Sequence, residues 1–310
     1  MTPQLLFYII IGILVLDFVI QKIIGALNAR HFDDPIPGEV KDVYDKEEYL
    51  KSQAYKKINY QFGVLTSTFS FAALLIFFFL EGFAFVDNIV REISDNPIVI
   101  ALLFFGVIGI VADLLSTPFS YYDTFVIEEK FGFNKTTKKT FFLDKLKSWL
   151  LGGVLGGGIL AVVIWFYDFA GDDFWWYAWI LISIFSVFMN LFYAKLIVPI
   201  FNKQTPLEKG SLRDKIEIYA KKAGFKLENI FVIDGSKRST KANAYFSGFG
   251  KEKRITLYDT LISDLEEDEI VAVLAHEVGH YKKNHILFTL IFSVLSMGIT
   301  LWLLSLFVGS

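Results

Sequence analysis

Six stretches of this sequence are apolar for long enough to cross a lipid bilayer. They run over 5–27, 62–86, 97–121, 149–169, 175–201 and 286–308. Each is near the ~20 residues that a helix rising ~1.5 Å per residue needs to traverse a hydrocarbon core ~30 Å thick. At that depth every backbone N–H and C=O must be paired within the protein, so the segments are expected as helices. The chain is 54% apolar, with a mean hydropathy of +0.48, above the roughly 45–50% of soluble domains. The N-terminus has no basic residues before Leu5 and no small-residue cleavage site, so the first stretch is expected to be a retained span and not a removable signal.

The loops carry an orientation signal. Lys and Arg number six in loop 28–61, one in 87–96, six in 122–148, none in 170–174 and fifteen in 202–285. Basic and non-basic loops alternate without exception. The positive-inside rule then puts the N-terminus outside and segment 202–285 in the cytoplasm. Polar residues interrupt several stretches: Asp17, Glu81, Asp113, Asn190 and Lys195. Glu81 and Lys195 lie near ends and can snorkel, whereas Asp113 and Asn190 sit deeper, where a polar side chain makes a structural contact or faces a hydrated space. The glycines between Gly152 and Gly158 weaken a helix but allow neighbours to approach closely, which is read as packing.

Net charge is −3 and the pI about 5.9, leaving no basic surface that would make nucleic acid a partner. Cysteine is absent, which excludes disulfides, thiolate metal sites and cysteine nucleophiles.

Segment 202–285 changes character. Ser211–Gly224 has apolar residues at near-helical spacing and Gly224 as a stop signal. Ile230–Ile233, Ala242–Gly248 and Arg254–Tyr258 read as strands, with Gly248-Phe249-Gly250-Lys251 as a hairpin turn between the last two. Ser263 followed by Glu266 forms a capping-box pattern, predicting a helix from about Asp264 through His280. The segment is a small α/β unit.

That helix carries His276-Glu277-Val278-Gly279-His280. Two histidines at i and i+4 project from one face, so both imidazoles can hold one Zn²⁺ at ~2.0–2.1 Å. Glu277, one step around, can hold and deprotonate a water that the metal has acidified, which is the arrangement for peptide hydrolysis. The bland alternative is a surface His/Glu pair. Against it, three of the four histidines in the chain fall between 276 and 285, and Val271, Leu274, Ala275 and Val278 make the helix apolar around the motif. His285 would point about 140° from His280 on a continuous helix, making it a poor third ligand and at most a hydrogen-bonding neighbour. Ile286 follows His280 by six positions, about 9 Å along a helix, so the metal is expected near the membrane surface.

Beyond that motif, several segments together resemble the Ste24-type CAAX prenyl proteases, a family of membrane zinc metallopeptidases. They are Phe131-Gly132-Phe133-Asn134-Lys135-Thr136, Pro199-Ile200-Phe201-Asn202 with Thr205-Pro206-Leu207, Ser236-Lys237-Arg238-Ser239, Asn243-Ala244-Tyr245-Phe246, Lys253-Arg254-Ile255 with Tyr258-Asp259-Thr260-Leu261, and Ala272 through His285. The resemblance implies a mainly α membrane protein: a multi-span helical bundle around a chamber, with a small α/β zinc-peptidase domain. Its parts would be 1–201 (about five spans), 202–285 (the peptidase domain) and 286–310 (a sixth span). It implies Glu277 as the catalytic residue, His276 and His280 as metal ligands, and Asn243 and Ala244 on an edge strand that a substrate joins as an extended chain. It also implies one Zn²⁺, and membrane lipids and a peptide or protein substrate as partners. That substrate would be cleaved near its C-terminus and would be prenylated in eukaryotic members. The location would be the endoplasmic reticulum membrane in a eukaryote and the inner membrane in a bacterium. The family's third ligand, a Glu from a later helix, is expected beyond residue 310, so the 310-residue chain is expected to be catalytically impaired and to hold zinc weakly or not at all. Two other readings fit the same pattern: a non-catalytic membrane scaffold for binding or transport, and a quality-control protease acting on substrates without a prenyl group.

Overall fold

The computed structural model describes residues 2–224, 229–248 and 253–308. Within them the chain forms two compact units, one of residues 1–93 with 107–131 and one of 94–106 with 132–310.

The first unit begins with α1 (Pro3–Ala29), started by Pro3 and by the Thr2 hydroxyl, which accepts from Leu5 N at 3.3 Å. Helix α2 (Lys46–Phe79) starts sixteen residues before the apolar stretch it contains, because Asp45 Oδ1 caps it by accepting from the backbone N of Glu47 and Glu48 at 2.8 and 3.0 Å. It also ends earlier than the stretch 62–86 suggested. Glu81 adopts a φ of 56° and a separate helix, α3 (Gly82–Ile93), follows. Gly82 leaves room at this break: a Cβ there would lie 2.3 Å from the Phe77 ring, which would have to move. Helix α3 buries Val86 and Val90 and leaves Phe85, Ile89 and Ile93 exposed. Helix α4 (Pro97–Tyr122), started by Asn96 Oδ1, has residues 97–106 in the second unit and the rest in the first; it leads into a π-helical turn over Asp123–Glu128, where Tyr55 donates to Glu128.

In the second unit α5 (Lys138–Ala170) begins eleven residues before its apolar stretch, capped by Thr137. The stretch 175–201 is two helices, α6 (Phe174–Leu196) and the short α7 (Val198–Phe201) with Pro199 in its first turn. After strand β1 (Gln204–Pro206) come α8 (Ser211–Lys222), β2 (Ile230–Ile233), β3 (Ala244–Ser247), β4 (Arg254–Tyr258), α9 (Asp259–Asp264), α10 (Glu267–Lys282) and α11 (His285–Val308). Among the described residues, five helical runs are long and apolar enough to cross a membrane: 3–29, 46–79, 97–128, 138–201 and 285–307. The fourth, of 64 residues, contains α5 and α6 in succession, and each of these alone exceeds the ~20 residues a span needs. Beside α6 lies α11, whose Val294 carbonyl accepts from Trp179 Nε1 at 2.8 Å.

The sheet is mixed, in the order β1-β2-β4-β3. Strand β2 is antiparallel to β1 and parallel to β4, and β3 is antiparallel to β4, with Ala244 opposite Leu257 and Phe246 opposite Ile255. Strand β1, three residues ending in Pro206, carries no strand pattern in its sequence. The strand expected over Ala242–Gly248 is shorter, and Phe249, Gly250 and Lys251 of the expected turn lie outside the described residues. Central β4 buries Arg254 through Leu257 consecutively, as a strand covered on both faces must. Ile255 and Leu257 form a core with Ile230, Ile216 of α8 and Ile270 and Leu274 of α10.

The helix predicted from Asp264 is divided. Ser263 does not cap it, since its hydroxyl donates to the Thr260 carbonyl and contacts Asp264 Oδ1. Leu265 is extended and packs on the core, and the capping box forms three residues later between Glu266 and Glu269. An apolar residue directed into the core outweighed the local capping signal.

Candidate functional site

Helix α10 is held from one side. Ile270, Leu274 and Val278, four residues apart, are each 1–2% exposed and anchor the helix against the core, so the opposite face is presented outward. His276 and His280 lie on that exposed face, and Glu277 is half-buried between the two faces. The Nε2 atoms of His276 and His280 are 3.0 Å apart. Two nitrogens bound tetrahedrally to one zinc at ~2.0–2.1 Å would be about 3.3 Å apart, so the pair fits a shared ion with a shift of a few tenths of an ångström. Among the described residues, no third His, Cys, Asp or Glu completes a metal-ligating group.

His285 lies where periodicity did not put it. Its Nδ1 is 2.8 Å from Nδ1 of His280. The 140° offset assumed an unbroken helix, but Asn284, at φ 55°, turns the chain between α10 and α11. The contact is on the far side of the His280 ring from His276, so His285 is a hydrogen-bonding neighbour and not a ligand of the same ion.

Asn243 and Ala244 stand at the start of β3, the outermost strand of the sheet. The Asn243 carbonyl accepts from Tyr258 N at 3.0 Å, and its side-chain oxygen accepts from Ala244 N at 2.8 Å. The strand packs against α10, where the Phe246 and Tyr281 rings lie 4.8 Å apart. A cavity of about 750 Å³ opens beside it, lined by Tyr193, Phe201, Arg238, Tyr245, Phe246 and Ile286 among others. Burial pushes the Tyr245 phenol up from its ordinary range.

What fixes the sheet to the membrane helices was not foreseen. Buried Arg254 of β4 donates through Nη1 to the Ala194 carbonyl in the last turn of α6 at 3.2 Å, with its guanidinium 4.7 Å from the Phe231 ring. Arg238 makes a two-pronged bond to Asp144 of α5 at 2.7 and 2.9 Å and donates to the Phe201 carbonyl. The sequence segments that stood out separately interlock here. Residues 133–136 pair with 238–240 through Lys135 N to the Arg238 carbonyl and Thr240 N to the Phe133 carbonyl, each at 3.0 Å. Asn202 donates to Asp234 at the end of β2, and Ser236 bonds Asp259.

Residues 25–203 match the family model described as the CAAX prenyl protease N-terminal region with five membrane helices, and residues 206–310 match peptidase family M48. CAAX prenyl protease 1 of Saccharomyces cerevisiae is 38% identical over 84% of this chain and 60% of its own length. A homologue in Arabidopsis thaliana is 36% identical over 91% of the chain and 69% of its own length. The crystal structure of S. mikatae Ste24p superposes with a TM-score of 0.89 at 35% identity, covering 95% of this chain and 70% of that one. The chain spans about 60% of the length of the first curated relatives it matches.

Proposed function

Because the chain belongs to the CAAX prenyl protease family of membrane proteins, we propose that it is the zinc-binding and substrate-binding part of a membrane metalloendopeptidase. The observation that carries this reading is the 3.0 Å approach of the His276 and His280 Nε2 atoms on the outward face of α10, with Glu277 between them in sequence. His276 and His280 would hold the ion, with a third donor, a Glu by resemblance to the family, from outside the described residues. Bound zinc supplies Lewis acidity, activating water and polarising a carbonyl. Glu277 accepts a proton from the attacking water and returns it to the leaving amine. Strand β3, beginning next to Asn243 at Ala244, is the outermost strand of the sheet, and an extended peptide joining that edge would align its scissile bond with α10. The substrate is a membrane-associated peptide or protein cut near its C-terminus, carrying a prenyl group if the source is eukaryotic. The alternation of basic loops supports an outside N-terminus and a cytoplasmic peptidase domain. That domain would face the cytosol from the endoplasmic reticulum or a bacterial inner membrane.

Glu277→Gln tests the reading. In the complete protein, carrying the third ligand, turnover of a prenylated C-terminal peptide should fall at least ~10³-fold, since the variant has no general base, while zinc affinity stays within a few-fold. Unchanged turnover would refute a role for Glu277 in proton transfer. Orientation is tested by single cysteines introduced into this cysteine-free chain at loop 28–61 and at 170–174. The first should label only from the cytoplasmic side, and the reverse pattern would contradict the topology.

A further inference from the structure

Both ring nitrogens of His280 are engaged, and in opposite directions. Nε2 faces His276 at 3.0 Å and Nδ1 faces His285 Nδ1 at 2.8 Å. The second contact depends on a break in the helix. Helix α10 stops at Lys282, Asn284 takes a left-handed φ of 55°, and α11 starts at His285, bringing the two ring centroids to 4.9 Å. A neutral imidazole carries one N–H and one lone pair, so a ring that offers its Nε2 lone pair to a metal has its proton on Nδ1. At Nδ1 of His280 that proton meets an acceptor, provided His285 is the tautomer protonated on Nε2. Such a partner fixes both the tautomer and the ring plane of a ligand and raises its basicity.

We infer that His285 is a positioning residue for the metal site: its Nδ1 accepts the Nδ1–H of His280 and holds the His280 Nε2 lone pair toward the ion shared with His276. This rests on the zinc reading above. The competing account is a histidine that only packs at the junction of two helices, and the two differ in what they predict for metal affinity.

The experiment is competition for Zn²⁺ between the purified protein and a chromophoric chelator, run on the full chain and on H285A, H285N and H276A. An Asn side chain places its oxygen near the position of the histidine Nδ1, so H285N keeps the acceptor. The expected result is affinity weakened about 10–100-fold in H285A and within about threefold of the parent in H285N. The Co²⁺ ligand-field spectrum should be altered in H285A and restored in H285N. Parent-like zinc affinity in H285A, with H276A weakened, would overturn the positioning role and leave the zinc reading standing. Equal weakening in H285A and H285N would also overturn it, since the acceptor would then not be what acts. If the parent and H276A bind zinc alike, the zinc reading falls and this inference with it.

Discussion

Helices α5 and α10 belong to the same compact unit and solve opposite problems. Helix α5 runs 33 residues and buries none of them; Val154, in its apolar stretch, is 72% exposed. Helix α10 runs 16 residues and places Ile270, Leu274 and Val278 almost wholly out of contact with solvent. The surroundings account for the difference. In an integral membrane protein the medium around α5 is hydrocarbon, so its apolar side chains have nothing to gain by leaving it. Helix α10 packs Ile270 and Leu274 on the sheet core, so its buried stripe is driven inward by the hydrophobic effect. One consequence concerns function: a helix anchored on one stripe presents the opposite stripe at a fixed angle, and His276 and His280 occupy that stripe.

The sharpest way to break this comparison is to truncate one residue on each side of it. Leu257→Ala, at a residue with no exposure in β4, should destabilise the segment that matches peptidase family M48 by about 2–5 kcal/mol. Val154→Ala should fall within about 0.5 kcal/mol. Thermal unfolding in detergent, read by limited proteolysis of residues 202–285, separates the two. Equal effects would contradict the contrast. Next in size is Gly82→Ala. Its Cβ would collide with the Phe77 ring at the α2–α3 break, and about 1–3 kcal/mol of overpacking is expected, measurable as a lower melting temperature. The Arg238–Asp144 pair sharpens the comparison, because it joins the segment that matches peptidase family M48 to α5. A double-mutant cycle with Arg238→Met and Asp144→Leu should give a coupling on the order of 1–2 kcal/mol, and additive effects would show that the pair does not couple.

The smallest effect concerns α8 and α10. The Ser211 hydroxyl and then the Lys215 ammonium hold the Glu267 carboxyl below the ordinary carboxylate range. Its folded pKa is depressed, so its contribution is present above the unfolded value and is lost as the pH falls through the lower folded value. Glu267→Gln should therefore leave stability unchanged at low pH and lower it slightly near neutrality. A melting temperature that stays parent-like at every pH would discount the contact.

The parts of this fold that were legible in the sequence are those with a period or a run. The apolar stretches, the spacing of α8 and the positions of β2 and β4 were readable because each is dictated by residues within one window. The helix ends were less so. Helices α2 and α5 extend well past their apolar stretches on polar residues that the cap residues Asp45 and Thr137 recruit, and a hydropathy reading stops where the lipid stops. The break at Glu81 and the division at Leu265 depend on contacts with Phe77 and with the sheet core. At the site, the pairing of His276 with His280 followed from helical geometry alone. The approach of His285 did not, since it depends on one left-handed residue, Asn284, for which the sequence carries only the weak signal that Asn tolerates that conformation. The bonds of Arg238 and Arg254 to α5 and α6 span 94 and 60 positions, and no local pattern encodes a partner that distant.

The central claim is that His276 and His280 together grip one divalent ion. X-ray absorption at the zinc edge of the metal-loaded protein tests it most directly. Two imidazole nitrogens at about 2.0–2.1 Å are predicted in the first shell, with one lost in His276→Ala and one in His280→Ala. A first shell without imidazole scattering, or one unchanged by both substitutions, would contradict the account.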